Sequence, residues 1–360
     1  MTPNSVVMQA SRVVAVDANP ATRPLATGTE TYARELARRL PEAAPELAFR
    51  FYAARPGDLD ELDFTVLPGR RLWSQLRLPL ELAWRPPDLF FAPSHVVPFL
   101  ARGAALTVVH DLAFERFPRA YTAGALAYLR LTTRWAEARC PRLITVSEAT
   151  ARDLVDLHGV DRRRIAVVPL GATAPQRQLS KAGARSRVAR LGVDQPYVLH
   201  VGRVEPRKNQ LTALAAVERL PDLLLVSAGG IADRDAAERL RASPRCRLLG
   251  PVGAEDLEAL YRAAEALVFP SLYEGFGLPV LEAMHRDLPV VASATSSLPE
   301  VGGEAAVYVE DPLDAEALAA ALRRAMSDHD RLSRLGRARA AQFTWERTAA
   351  GVAAVIRELL

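Results

Sequence analysis

Two carboxylates, Glu274 and Glu282, stand with seven residues between them in SLYEGFGLPVLEAM, residues 271–284. The apolar run 266–270 before them reads as a buried strand, and Gly275 and Gly277 mark a loop needing unusual backbone angles or close ligand approach. Pro279 suits the first turn of a helix, expected over 278 to about 285. The free amides and positive dipole end of that helix would point back at the loop, a seat for phosphate or carboxylate. Glu274 falls in the loop and Glu282 one turn inside the helix, so both line one crevice at different depths. Such a site suits a phosphorylated, hydroxyl-rich ligand. Taken singly, the same residues read as a loop charge, a solvated helix face and ordinary glycine punctuation.

A second group lies in YVLHVGRVEPRKNQ, where Gly202 and Arg203 end a strand and Lys208 follows five residues after Arg203 as a helix opens. Two cations around one turn can neutralise a departing diphosphate; on their own they read as solvated loop charges. His110 and Asp111 close the apolar run 104–109 at its C-terminal end, where open α/β sheets place their ligand crevice. Gly28 stands at a strand–loop–helix junction, where it lets backbone approach a phosphate or merely makes a turn, with Thr27 or Thr29 expected as the helix cap. Ser147 is expected to cap the helix after the strand 143–146.

The elements that must position these residues follow from short apolar runs with turn residues beside them. Strands are expected at 12–17, 48–52, 64–67, 89–92, 104–109, 143–146 and 165–171, then from 197, at 223–230, 266–270 and 289–293, with helical stretches between. Two successive strand–helix series imply two doubly wound parallel sheets facing across a cleft. At 360 residues the chain is long enough for two such domains, and 49% hydrophobic with 24% charged residues is ordinary globular composition. No stretch reaches the roughly 18 apolar residues of a spanning helix, and residues 1–12 lack a secretory pattern, so a cytoplasmic location is expected. Cys140 and Cys246 offer neither a disulfide framework nor a zinc set. The formal charge of +4 favours an anionic partner, whereas dispersed basic residues and 6% aromatics argue against nucleic acid. In residues 69–85, GRRLWSQLRLPLELAWR, Arg70, Arg71, Arg77 and Arg85 mix with Trp73 and Trp84. That segment reads either as an interfacial helix touching an anionic membrane or as a helix packing its Trp residues on its own domain, with Pro79 breaking its periodicity.

Glu, seven residues, then Glu, with Gly-Phe-Gly-Leu-Pro between, resembles the signature of retaining glycosyltransferases of family 4, which have the glycosyltransferase-B fold. The resemblance extends to VVHDLAF, VSEATARDL, the Gly202–Lys208 segment, CRLLGPVGAEDLEALYRAA and LPEVGGEAAVYVE. It implies an acceptor-side Rossmann-like domain over 1–171, a linker over 172–191, a nucleotide-sugar domain over 192–343, and a helix over 344–360 crossing back to the first domain. By the same resemblance Glu274 and His110 meet the donor sugar, Glu282 holds ribose hydroxyls, and Arg203 and Lys208 bind diphosphate. Gly28, Gly202, Gly253, Gly275, Phe276, Gly277 and Leu278 are expected to line the nucleotide sugar, and the Pro299–Glu300 segment to form a structural turn. Family members usually carry more glycines around Gly28 than this chain does.

The resulting expectation is transfer of a mannose- or glucose-type sugar from a GDP- or UDP-linked donor, with retained configuration, to a saccharide, lipid-linked or small-molecule acceptor. Charge at the diphosphate is assigned to side chains and a helix end, with no metal and no further cofactor. The alternatives are a nucleotide-sugar epimerase of the same fold and a non-catalytic nucleotide-sugar-binding protein.

Overall fold

Strands that read as unbroken apolar runs must be covered on both faces, which is the condition of a parallel sheet flanked by helices. A computed structural model describes residues 12–23, 28–56, 62, 64–69, 73–174 and 179–360. Among them the first sheet contains β1 (Val13–Asp17), β2 (Ala48–Ala53), β3 (Phe64–Val66), β4 (Leu89–Ala92), β5 (Ala104–Val109), β6 (Arg142–Thr145) and β7 (Ile165–Val167), ordered β3-β2-β1-β4-β5-β6-β7. The second contains β8 (Tyr197–Val201), β9 (Leu224–Ala228), β10 (Cys246–Gly250), β11 (Ala266–Phe269), β12 (Val290–Ser293) and β13 (Ala306–Val309), ordered β10-β9-β8-β11-β12-β13. All pairings are parallel. Strand order reverses between β1 and β4 and again between β8 and β11, the two places where a doubly wound sheet opens a crevice.

Two segments differ from a simple reading. The helix Lys181–Ala189 packs on the second domain's helix Ala254–Ala263, with Arg187 paired to Glu255 at 2.7 Å. The helix Trp73–Trp84 runs through Pro79 without breaking, because Trp73, Leu78, Pro79 and Leu82 form a buried face whose packing overrides local propensity. Trp73 donates to the Leu67 carbonyl at 2.7 Å, whereas the opposite face leaves Leu76, Leu80 and Trp84 exposed by 58%, 64% and 71%. Arg70 and Arg71 lie outside the described residues.

The chain passes between the domains twice in contact with itself. Ala172 donates to the Phe343 carbonyl at 3.1 Å, Trp345 donates to Thr173 Oγ1 at 3.1 Å, and a Cβ on Gly171 would fall 2.2 Å from the Trp345 nitrogen. Beyond that crossing the helix Trp345–Leu359 lies on the first domain's helix Gly28–Ala43, burying Val352, Ala353, Val355 and Ile356. A fully buried aliphatic side chain of this kind contributes about 1.5–3 kcal/mol. No helix among the described residues is long and apolar enough to cross a membrane.

Candidate functional site

At the carboxyl end of β8, Gly202 adopts φ +152° and Gly229, after β9, φ +145°. A Cβ on Gly229 would sit 2.2 Å from the Gly202 carbonyl oxygen, so the two strand ends can meet only as glycines. The next residues turn through a 3-10 segment, Pro206–Lys208, into the left-handed Asn209 (φ 57°). Asn209 is held there by amide hydrogen bonds to the carbonyls of Pro270 at 3.1 Å and Pro312 at 2.6 Å. This turn sends Lys208 inward: its Nζ lies 5.1 Å from the Phe269 ring centroid and 2.6 Å from Glu274 Oε1. Arg207 completes the cluster, 2.7 Å from Glu205 and 3.3 Å from the other Glu274 oxygen.

Glu274 is only 5% exposed. Burial alone pushes its carboxyl up, but Lys208 and Arg207 outweigh it and hold the group below its ordinary value. Burial likewise pulls Arg207 down, and Glu274, Asp111 and Glu205 more than reverse that. Arg203 stands apart: its side chain is exposed and has no hydrogen-bond or ion-pair partner among the described residues, while its carbonyl accepts from Gln210 at 2.8 Å. An unpaired cation beside a buried neutral cluster leaves positive charge facing the crevice.

The loop after β11 is fixed by both domains. A Cβ on Gly275 would fall 2.1 Å from the His110 carbonyl oxygen, so this residue wedges the loop directly against the first domain. Gly277 takes φ +111° to start the helix Leu278–Met284. Ser297 donates to the carbonyls of Glu274 at 3.0 Å and Phe276 at 2.7 Å, and Ser296 accepts from the Glu274 amide at 2.8 Å. The Phe276 side chain turns into the core, edge-on to Phe343 at 5.9 Å, which leaves its main chain to face the loop. Leu278 instead faces Gly28 across the domains, 3.6 Å from where a Cβ there would sit.

His110 follows β5 and donates from Nε2 to the Pro93 carbonyl at 2.8 Å, with its ring against the edge of Tyr32. Burial lowers its pKa, so the neutral ring with a bare Nδ1 is favoured. Glu282 is half-buried and accepts from the Tyr261 hydroxyl at 2.7 Å, while Arg286 lies over the Tyr261 ring. Gly253 starts the helix Ala254–Ala263 in an exposed turn with open space around it.

The structure thus gathers His110, Arg203, Lys208, Glu274 and Gly275 beyond the carboxyl ends of β5, β8 and β11, with Gly28 opposite Leu278 and Glu282 on the second domain. Sequence reasoning missed four contributors. Arg207 is one more cation between Arg203 and Lys208 in sequence, Tyr261 carries no signal, and Tyr273 stands unremarked beside Glu274. Glu300, expected in a structural turn, instead reaches the other domain and accepts from the amides of Glu148 at 2.9 Å and Ala149 at 3.0 Å. Ser147 does cap that helix, accepting from Thr150 at 3.1 Å. Thr29 lies inside its helix and is no cap, and Thr27 is outside the described residues. Of the three Asp-x-Asp pairs in the sequence, Asp58/Asp60 lies outside the described residues, and Asp233/Asp235 and Asp328/Asp330 lie at helix starts, where Asp233 caps Ala236 at 3.0 Å and Asp328 holds Arg331 at 2.6 Å.

Comparison with known proteins bears on what such a cleft is for. The family model Glycosyltransferase Family 4 matches residues 26–173, and Glycosyl transferases group 1 matches residues 185–342. The chain is 32% identical over 286 residues to the O-antigen chain mannosyltransferase B of Escherichia coli, covering 74% of each. It is 35% identical over 230 residues to the D-inositol 3-phosphate glycosyltransferase of Mycolicibacterium smegmatis, covering 58% of this chain and 50% of that one. In fold it is similar to the sucrose-phosphate synthase of Thermosynechococcus elongatus, with TM-score 0.75 and 24% identity over 97% of this chain and 99% of that one. It is also similar to Anabaena HepE in complex with UDP and glucose, with TM-score 0.76 and 19% identity over 97% and 100%. Two facing doubly wound sheets, both family matches and the mannosyltransferase relative agree: the chain belongs to the group 1 glycosyltransferases and has the two-domain glycosyltransferase-B fold.

Proposed function

We propose that this protein moves a hexose of mannose or glucose type from a nucleoside diphosphate to an acceptor hydroxyl and retains the anomeric configuration. The observation that carries this reading is the unpaired Arg203 beside the buried Lys208–Glu274 pair, at the β8/β11 switch point and opposite His110. Arg203 and Lys208 would stabilise the departing diphosphate, a charge-assisted role of the kind worth about a hundredfold or more in rate. Glu274 would orient sugar hydroxyls, Glu282 would hold ribose, and the neutral His110 would border the sugar. The diphosphate oxygen released as the anomeric bond breaks would take the acceptor proton on the same face. No divalent ion is assigned a part in this scheme.

The mannosyltransferase relative supports mannose as the transferred sugar, and the HepE complex with UDP and glucose supports a UDP-linked donor. A thermal-shift comparison of GDP, UDP and their mannose and glucose conjugates discriminates, because a ligand at 100 times its dissociation constant adds about 2.7 kcal/mol. Proton coupling at the product's anomeric carbon then reads retention or inversion. A donor that is bound and turned over without any acceptor into an epimer would overturn the transferase reading.

For the acceptor, we favour a saccharide carried at a membrane surface. Leu76, Leu80 and Trp84 repeat every four residues on one exposed helix face, beside the exposed Arg77 and Arg85. An apolar stripe flanked by cations suits peripheral contact with anionic lipid, which would place the protein at the inner membrane face.

A further inference from the structure

The residues on either side of the donor-side carboxylate are held by the domain that does not contain it. Both sequence neighbours of Glu274 are pinned to the first domain. On one side the Tyr273 hydroxyl donates to Asp153 Oδ2 at 2.7 Å and accepts from the Leu112 amide at 3.1 Å. On the other the Gly275 carbonyl accepts from Ser147 Oγ at 2.6 Å, with Thr150 Oγ1 at 3.4 Å. Ser147, Thr150 and Asp153 all belong to one element, the helix Glu148–His158 and its cap. The same helix start receives the Glu300 carboxylate on the amides of Glu148 and Ala149. A carboxylate on free amides at the positive end of a helix dipole is a favourable seat. The Glu300 backbone is itself anchored through its carbonyl to Arg339.

Resting on the proposed transfer reaction, we propose that Tyr273, Ser147 and Glu300 are positioning residues that tie the placement of Glu274 to domain closure. With the domains apart, Glu274 keeps Lys208 and Arg207 on its carboxylate and Ser296 and Ser297 on its main chain, all from its own domain, but Tyr273 and Gly275 on either side lose their anchors and the loop gains freedom. Glu274 then meets the sugar correctly only when the first domain, with its acceptor, has closed on it. The nucleotide contacts assigned to Arg203 and Glu282 belong wholly to the second domain and do not need the clasp. Its loss should therefore depress turnover and spare nucleotide affinity.

The test compares Glu300→Ala, Glu300→Gln, Ser147→Ala and Tyr273→Phe with wild type in three measurements. These are amide hydrogen exchange of the free protein, affinity for GDP or UDP (whichever the wild type binds), and donor-saturated transfer rate. In Glu300→Ala, exchange at Glu148 and Ala149 should rise and kcat should fall about tenfold, the scale of one lost charge-assisted hydrogen bond. Nucleotide dissociation constants should stay within about twofold. Glu300→Gln, which keeps one carbonyl oxygen to accept an amide, should recover part of the rate. Tyr273→Phe and Ser147→Ala should lower kcat in the same way. The idea is overturned if exchange at Glu148 and Ala149 is unchanged in Glu300→Ala, or if kcat is unchanged in all variants. It is also overturned if Tm, nucleotide affinity and kcat fall together in Glu300→Ala and Tyr273→Phe alike, the mark of plain structural damage. Should wild type transfer from no nucleotide sugar, the reaction reading fails, and the exchange measurement still decides the clasp.

Discussion

Lys208 Nζ lies 2.6 Å from Glu274 Oε1, so the group assigned to the departing phosphate and the group assigned to the sugar form one buried ion pair. Under the proposed assignments their functions are coupled: a donor that drew Lys208 toward its phosphate would also alter the charge balance at Glu274. Arg207, on the second oxygen of Glu274, would then keep that carboxylate ionised.

The first prediction is a stability profile with acid. Because Glu274 titrates below its ordinary value of 4.5 in the folded state, its contribution is fully present above that value. It is lost as pH falls through the lowered folded value. Urea midpoints between pH 3 and 7 should thus drop more steeply for wild type than for Glu274→Gln. Lys208→Met, which strips one partner from a buried pair, should cost about 3–5 kcal/mol near neutral pH. It should also slow turnover at least about a hundredfold. Parallel acid profiles for wild type and Glu274→Gln would refute the assignment.

The two glutamates should fail differently. Glu282→Ala is expected to raise the donor Michaelis constant and weaken binding of the free nucleoside diphosphate, since ribose contacts change little during reaction. Glu274→Ala should cut turnover and leave that affinity nearly unchanged. Tyr261→Phe, which removes the hydroxyl donating to Glu282, should follow the Glu282 pattern more mildly. Calorimetry beside donor-saturated rates gives the comparison, and exchanged phenotypes would reverse the donor's orientation.

Gly275→Ala tests the wedge between the domains. Its methyl would meet the His110 carbonyl, which is backbone and cannot swing away, so the loop must retreat. A displacement on the ångström scale at a reacting centre costs about a hundredfold in rate. We expect that loss in kcat with GDP or UDP affinity near wild type. A fully active alanine variant would show that the loop tolerates separation from His110.

Membrane contact is checked by flotation with liposomes. Wild type should float with anionic vesicles at low salt and less at high salt, each nearby basic residue contributing about 1 kcal/mol. Leu80→Asp with Trp84→Ala should abolish flotation without lowering Tm, as both side chains are exposed. Equal recovery with neutral and anionic lipid at low salt would remove the proposal.

Local signals made much of this molecule legible. Apolar runs such as LFFA and ALVF announce strands buried on both faces, and Gly275-Phe276-Gly277 announces a loop with demanding geometry. What stayed hidden is non-local. Nothing near Lys208 in sequence indicates a carboxylate 66 positions away, and nothing near Glu300 indicates amides 152 positions earlier. Pro79 misled for the opposite reason: its local effect is real, but burial of its helix face outweighs it. Phe276 shows that a side chain between two loop glycines can serve the core.

The crossing of Gly171 and Trp345 also sets an order of assembly during translation. Tyr32 rests against the Trp345 ring, and the helix Gly28–Ala43 is covered by Trp345–Leu359, a segment synthesised only after the whole second sheet. The first domain therefore leaves the ribosome with one helix face bare. It stays open until the second domain has emerged and the closing helix arrives behind it. On stalled ribosomes, protease resistance of the first domain should rise only once residues 345–359 are clear of the exit tunnel, and resistance gained earlier would contradict this order.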